Sequence, residues 1–378
     1  MFILFILGLS VRRLIKMTEA DKLILTLDAG GTNFHFSAYE NAIEVIEPFT
    51  IAADVSVLES ALATIVSGFN RLIKSLNKKP VAISFAFPGP ANYEKGIINN
   101  VGNLPAFAGG VPLGPYLEEV FNVPVFINND GDLYTYGEAR FGVLPWINDQ
   151  LINSGSSKRF NSLIGLTLGT GYGAGAFLNG QLYCGDNSSA LEVWTTRNGI
   201  KSNCFTEEGV SKRAIVNYYG DHTLTPEDIF EIAIARKDGD QQRALLAYEE
   251  FGKVLGESIA DIITLFDTVI VIGGGVSNAH TLFMPTVFKR IRGMISDYNG
   301  GDKKRIVQSV YDLENEKELS QFTKGNQITV SIPGSSKTIV YDSESRSGIA
   351  LSRLGANRAI ALGAYAYAID RLKGTRSL

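Results

Sequence analysis

The sequence predicts an α/β protein made of two related halves, and three observations carry that expectation. A strand that is apolar almost throughout, LILTLD from Leu23, runs into the turn AGGT and a second strand, NFHFSAY. Near the middle of the chain, LIGLTLGTGYGAGAFLNGQLY from Leu163 restarts the same order of strand, glycine turn and strand, a weak internal repeat. Around both units, short apolar runs closed by Gly or Pro alternate with segments whose apolar residues recur at helical spacing.

Taken in order, LILTLD is apolar enough to be buried on both faces, and with NFHFSAY and IEVIEPF it reads as an antiparallel meander. Leu58, Leu62, Ile65, Phe69, Leu72 and Ile73 place a helix over about Val55 to Leu76, followed by the strand VAISFAF, which stops at Pro88-Gly89-Pro90. A short helix from Leu113 to Phe121 leads to the strand in PVFINND. A helix from Gly131 to Phe141 then starts at a strand end, where α/β proteins hold ligands. The polar stretch Asn148 to Asn161 separates the halves. The second half continues with a hairpin at Asn179-Gly180, a long helix from about Gln241 to Phe266, the strand TVIVIGGG and a helix from Asn278 to Ile295. Residues 299 to 346 read as a polar, irregular insertion with one or two strands, and a small-residue helix, ANRAIALGAYAYAIDRL, ends the pattern.

With 378 residues, 45% apolar and 20% charged, the chain has room for two globular domains. A net charge of -4, with no dense Lys/Arg block and no helix-turn-helix before the first strand, argues against a nucleic-acid partner. Cys184 and Cys204 form neither a metal-ligand spacing nor a disulfide framework, which favours free thiols in a reducing, cytoplasmic compartment. Residues 1–16 begin with an apolar run too short to span a bilayer and carry their basic residues after that run. They read as an extension from an upstream start or a loosely held leader, with a membrane anchor the lesser alternative, and no membrane partner is expected.

The glycine turns carry the chemistry. GTGYGAG leads into a hairpin strand where a dinucleotide fingerprint would need a helix, and it lacks the Lys-Ser or Lys-Thr of a Walker A loop. It is either a loop whose bare amides wrap a phosphate or a tight turn without a ligand. DAGGTN and IGGGVS are further small-residue clusters at strand ends. In a phosphoryl-transfer enzyme the first two would hold phosphate oxygens, and the third would admit a flat purine. Asp28 either holds Mg²⁺ through water or stabilises its own glycines as an Asx turn.

LDAGGTN, NNDGD, LTLGTGYGAG and IGGGVS, in that order, resemble the ROK family of sugar kinases in the actin-like, hexokinase-like superfamily, over most of the chain from Leu23. The resemblance implies two ribonuclease-H-like domains with a cleft between them: an N-terminal domain over 17–136 plus 355–378, and a larger C-terminal domain over 137–354. It implies a sugar in the cleft, with ATP and Mg²⁺ held mainly by the second domain. Asp130 matches the catalytic base, a role that competes with that of a helix N-cap. Asn103 and Asn129 match binders of sugar hydroxyls, Glu192 matches the family's sugar-binding glutamate, and Glu207 maps loosely to a second one. Asp28, Gly30, Gly31, Thr32, Asn33, Gly169, Thr170, Gly171, Gly173, Gly274 and Gly275 match the nucleotide side.

The family pattern continues with a zinc-binding His and three cysteines. Here Thr195 replaces the His and only Cys204 remains, so no structural zinc is expected. Asp132 stands where the family pattern has Asn. His35 and His280 read as structural, and Trp194 and Phe205 either floor a sugar or belong to the core. The reading that follows is an ATP-dependent hexose kinase acting on O6. The other readings are a non-catalytic sugar sensor without a DNA-binding domain and, more distantly, a nicotinamide-dependent oxidoreductase. The family further implies a homodimer. No residue distinguishes glucose from other hexoses or N-acetylhexosamines.

Overall fold

The computed structural model describes residues 22–29, 33–99 and 104–374. The suggested extension over 1–16 lies outside them. The first half runs β1 (Ile24–Ala29), β2 (Asn33–Glu40), β3 (Ile43–Glu44), β4 (Phe49–Ala52), α1 (Leu58–Leu76), β5 (Ala82–Ala86), β6 (Ala91–Asn92), β7 (Ile97–Ile98), α2 (Leu113–Phe121) and β8 (Val125–Asn128). Its sheet has the order β3-β2-β1-β5-β8, with β4 also paired to β2. β1 is antiparallel to β2 and parallel to β5, which is parallel to β8. Leu25 and Leu27 point to one face, into a core with Phe36, Phe69 and Phe85, whereas Ile24 serves the opposite face. The expected strand over 43–49 is broken in two. Asn41 and Ala42 turn the chain through left-handed backbone (φ 52 and 59), and Pro48 has no N–H for a ladder.

The second half runs α3 (Asp130–Phe141), α4 (Val143–Asn153), β9 (Leu163–Leu168), β10 (Tyr172–Leu178), β11 (Gln181–Tyr183), α5 (Lys212–Tyr219), α6 (Pro226–Ala233), α7 (Gln241–Phe266), β12 (Val269–Gly273), α8 (His280–Ile291), β13 (Met294–Ser296), β14 (Asp302–Lys304), β15 (Ser309–Asp312), α9 (Glu316–Lys324), β16 (Gln327–Ser331), β17 (Thr338–Asp342), β18 (Arg346–Leu351) and α10 (Ala356–Gly374). Its sheet, β11-β10-β9-β12-β18-β15, repeats the first: an antiparallel hairpin at one edge, then parallel strands. Ile164, Leu166 and Leu168 face a core with α7 and α8, while Leu163 and Val271 face one with α3 and α4.

Four expectations are corrected here. The polar stretch 148–161 is helical in its first part, because Val143, Leu144, Ile147 and Leu151 give α4 a buried stripe. The helix expected over 278–295 stops at Ile291, and Met294 starts a strand paired with β14. Residues 299–346 hold more regular structure than expected, including β15 at the edge of the main sheet and helix α9. The interior strand β18 went unseen because RSGIAL opens on Arg346, which is buried and pairs with Asp342 (2.5 Å).

Two helices cross between the halves. α3 follows the last strand of the first sheet but packs on the second: a Cβ on Gly131 would lie 2.7 Å from the Ala174 carbonyl, and one on Gly165 would lie 2.2 Å from the Thr135 hydroxyl. α10 follows the second sheet but packs on the first, with Leu362, Tyr365, Ala368 and Ile369 joining Ile24, Tyr39 and Ala82. The two helices touch backbone to backbone. A Cβ on Gly137 would meet the Ala359 carbonyl at 2.0 Å, and one on Gly363 would meet the Leu133 carbonyl at 1.8 Å.

Candidate active site

A cavity of about 600 Å³ opens where the N-terminus of α3 meets the β9–β10 turn. Its walls include Asn129, Asp130, Asp132, Gly169, Thr170, Gly171, Gly173, Glu192, Trp194, Glu207 and Gly274. All eleven were singled out in the sequence, and they come together in one place. The β9–β10 turn presents donors to this space. Among the described residues the amides of Thr170 and Gly171 have no hydrogen-bond partner, and a Cβ on Gly169 would meet nothing within 4 Å. Gly274 stands at φ 88 with its Cβ position 2.3 Å from the Leu168 carbonyl, so only glycine lets the two loops approach. Open amides beside a glycine-walled space suit a polyphosphate.

Carboxylates line the same cavity. Asn129 caps α3, its Oδ1 accepting from the Gly131 amide at 2.7 Å, so the capping role considered for Asp130 belongs mainly to its neighbour. Asp130 opens onto the cavity yet is ringed by protein, and this desolvation raises its carboxyl above the ordinary range, although the Gly131 amide (2.8 Å) pulls the other way. Two residues on, the buried Asp132 is pushed up to about 7, first by burial and then by the charges of Asp130 and Glu192, with the Cys184 thiol as its hydrogen-bonding neighbour. Burial and Asp132 together push that thiol up to about 12.

Glu192 and Trp194 form another wall, the indole N–H donating to the Glu192 carboxylate. Trp194 meets Phe205 edge to face at 5.9 Å, and both are exposed (38% and 54%), which corrects the alternative that they are core residues. The segment that carries them is braced by hydrogen bonds. Thr206 N–H donates to the Thr196 carbonyl (2.8 Å), and the buried Asn198 Oδ1 accepts from Ile200 and Lys201 (both 2.9 Å). This set of hydroxyls, an amide and one thiol does not suit tetrahedral zinc. Among the described residues, no group of three or more His, Cys, Asp or Glu could hold a metal ion. Glu207 reaches the glycine turn itself, its Oε2 accepting from the Tyr172 amide at 3.0 Å.

The remaining expected residues lie elsewhere. Asp28 lines an adjoining cavity of about 350 Å³ with His35, Ser37, Tyr39, Glu44 and Arg358, and Ile360 borders both cavities. Burial raises the Asp28 carboxyl, and the charge of Asp130 adds to the rise, so the two acids sense one another. His35, exposed and bonded through Nδ1 to the Thr50 hydroxyl (2.9 Å), shares that cavity, whereas His280 Nδ1 sits 3.2 Å from the Ser277 carbonyl at the start of α8. Asn33 begins β2, and Gly275 opens a short 3-10 turn beside the cavity wall. Gly30, Gly31, Thr32 and Asn103 lie outside the described residues. Sequence reasoning missed Thr167, which lines the cavity and whose Oγ1 lies 2.5 Å from the Cβ position of Gly173. Its only signal was a hydroxyl in an otherwise apolar strand.

Two sheets of like order, exchanging a helix across a cleft that holds glycine turns and acids, define a two-domain protein of the actin-like ATPase class. The ROK family model matches residues 24–315, and the chain belongs to the ROK family. It is 44% identical to a solved glucokinase of Parabacteroides distasonis, with a TM-score of 0.86, over 94% of this chain and 99% of that one. A curated N-acetyl-D-glucosamine kinase of Vibrio cholerae is 26% identical over 68% of this chain and 85% of its own length. A ROK glucokinase of Streptomyces griseus, solved with glucose and AMPPNP, is 20% identical with a TM-score of 0.58 over 91% and 98% of the two chains, a likeness of fold.

Proposed function

We propose that this chain is an ATP-dependent hexose kinase that phosphorylates O6, with Asp130 as the base. The observation that carries the reading is that Asp130 lines one cavity with Thr170 and Gly171, whose amides have no hydrogen-bond partner among the described residues. Bound ATP with Mg²⁺ would supply the transferable phosphoryl group and part of its charge neutralisation. Asp130 takes the proton from the sugar hydroxyl, and its raised affinity for protons makes it a stronger acceptor than an exposed aspartate. Asn129 and Glu192 hold sugar hydroxyls, and Asn103 joins them in this reading. Trp194 offers a flat apolar wall. The amides of Thr170 and Gly171 would donate to phosphate oxygens, and Asp28, in the adjoining cavity, would hold Mg²⁺ through water.

The division into 17–136 with 355–378, against 137–354, belongs to this reading; two sheets with separate cores and the packing of α10 on the first sheet support two such units, while the boundary at 136 falls inside α3, which packs on the second sheet. So do a homodimer and a cytoplasmic location. No helix among the described residues is long and apolar enough to cross a membrane. The relatives point to glucose or N-acetylglucosamine as the sugar. The test is a coupled ADP-release assay over a panel of hexoses and N-acetylhexosamines, with and without a zinc chelator. Sugar-dependent release unaffected by the chelator is expected. Silence with every sugar would favour the sensor reading, and chelator sensitivity would restore zinc.

A further inference from the structure

Glu207 occupies a position that sugar binding alone does not explain. β9 and β10 are paired through Leu168 and Tyr172, and the Gly169 amide closes the turn on the Gly171 carbonyl at 3.0 Å. The Tyr172 amide, at the mouth of this turn, donates instead to Oε2 of Glu207, 35 residues along the chain. The contact is tight: a Cβ on Gly171 would lie 2.6 Å from the same oxygen. The second oxygen, Oε1, lies 3.7 Å from the Arg213 guanidinium, which bonds more closely to Glu208 at 2.6 Å. Oε1 is thus the less committed of the two, on a side chain that lines the cavity.

The backbone around Glu207 belongs to the sugar side. Thr206 is tied to Thr196 through both backbone and hydroxyl, and Phe205 packs on Trp194, next but one to Glu192. Hydrogen bonds and ring packing thus link the Glu192–Trp194 wall to Glu207, and Glu207 to the amide edge of the β9–β10 turn. A carboxylate beside a phosphate site also repels the nucleotide unless it is held away, so the position of Glu207 matters to both ligands.

We propose that Glu207 is a positioning residue that couples sugar occupancy to the geometry of the β9–β10 turn, making nucleotide binding sugar-dependent. This rests on the kinase reading above. One carboxylate oxygen fixes the turn while the other meets the sugar or Arg213, so the sugar sets how firmly the turn is held. With the sugar absent the turn is poorly ordered for phosphates, and wasteful hydrolysis is suppressed.

The test measures AMPPNP binding by calorimetry, with and without saturating glucose or N-acetylglucosamine, together with sugar-independent ATP hydrolysis. In the unsubstituted protein the sugar should tighten AMPPNP. In Glu207→Ala the nucleotide should bind about tenfold more weakly with sugar present, and the sugar effect should vanish. Glu207→Gln, whose amide oxygen still accepts from Tyr172, should recover nucleotide affinity while the sugar KM stays raised. Gly171→Ala, which pushes on Glu207 from the turn, should also reduce the coupling. A Glu207→Ala protein that loses only sugar affinity while sugar still tightens AMPPNP to the normal degree would overturn the proposal. So would equal losses in the Ala and Gln variants together with a lowered Tm, which would mark a merely structural role. If no sugar binds the unsubstituted protein at all, the kinase reading fails first, and calorimetry with sugar alone separates that outcome.

Discussion

Read outward from one edge, the first sheet runs β3-β2-β1-β5-β8, and the second runs β11-β10-β9-β12-β18 before adding β15. In the first half the path from hairpin to parallel strands is short, and its core is dense in phenylalanine, with Phe36, Phe69, Phe85, Phe87 and Phe107 fully buried. In the second half residues 184–240 lie between β11 and the long helix α7, and this excursion carries Glu192, Trp194 and Glu207. The repeated portion is therefore scaffold. The proposed chemistry draws on the places where the repeat is broken, that excursion and helix α3, whose Asp130 lines one cavity with the glycine turn of the second sheet.

The largest effect should come from the acid itself. Asp130→Asn keeps the shape of the cavity but removes the proposed proton acceptor, and kcat should fall by about 10²–10⁴-fold with sugar binding nearly unchanged. Undiminished turnover would mean that the first sheet does not supply the base. Next comes the exchange of helices. Gly363→Ala places a methyl 1.8 Å from the Leu133 carbonyl, and separating the helices should cost about 2–3 kcal/mol, read as a lowered denaturation midpoint. An unshifted midpoint would show that the helices do not meet backbone to backbone.

Asp132 gives a smaller, pH-dependent effect. Burial pushes its carboxyl up to about 7, well above the ordinary carboxylate range, so the folded protein holds the proton more tightly than the unfolded chain. That contribution favours folding at low pH and is lost as pH rises from about 4 towards 7. Asp132→Asn should therefore stabilise the protein at pH 8 by an amount on the order of 1–3 kcal/mol and leave it unchanged at pH 4. Equal melting of both proteins at pH 8 would show that Asp132 is not buried as a carboxylic acid.

The smallest test compares the two hairpin turns. Asn179 and Gly180 stand at φ 51 and 85, and Asn41 and Ala42 at φ 52 and 59, so an alanine occupies one left-handed position where its counterpart has glycine. Ala42→Gly should stabilise by about 1 kcal/mol and Gly180→Ala should destabilise by about as much, measured by chemical denaturation. Changes of the same sign would mean that the turns are not equivalent.

Much of this was legible before any coordinates. The apolar strands, α2, α7 and the Asn179-Gly180 turn stand where spacing and turn chemistry put them, because each obeys a local rule. What escaped were features settled by distant partners. β18 begins with a buried arginine that is tolerable only beside Asp342, and α4 hides its stripe in a polar stretch. In the cavity, the glycine turns and Asp130 were recognisable from motif order. The hold of Glu207 on the Tyr172 amide joins residues far apart in the chain, and no spacing rule reaches across that gap.

The exchange of helices also bears on how the chain is made. One face of the first sheet, formed by Ile24, Tyr39 and Ala82, is covered by α10, so a sheet whose strands are made early is completed only after residues 356–374 follow it. A ribosome-bound intermediate should therefore present an apolar surface to chaperones for most of translation, and a fragment ending before α10 should aggregate rather than fold as an independent domain.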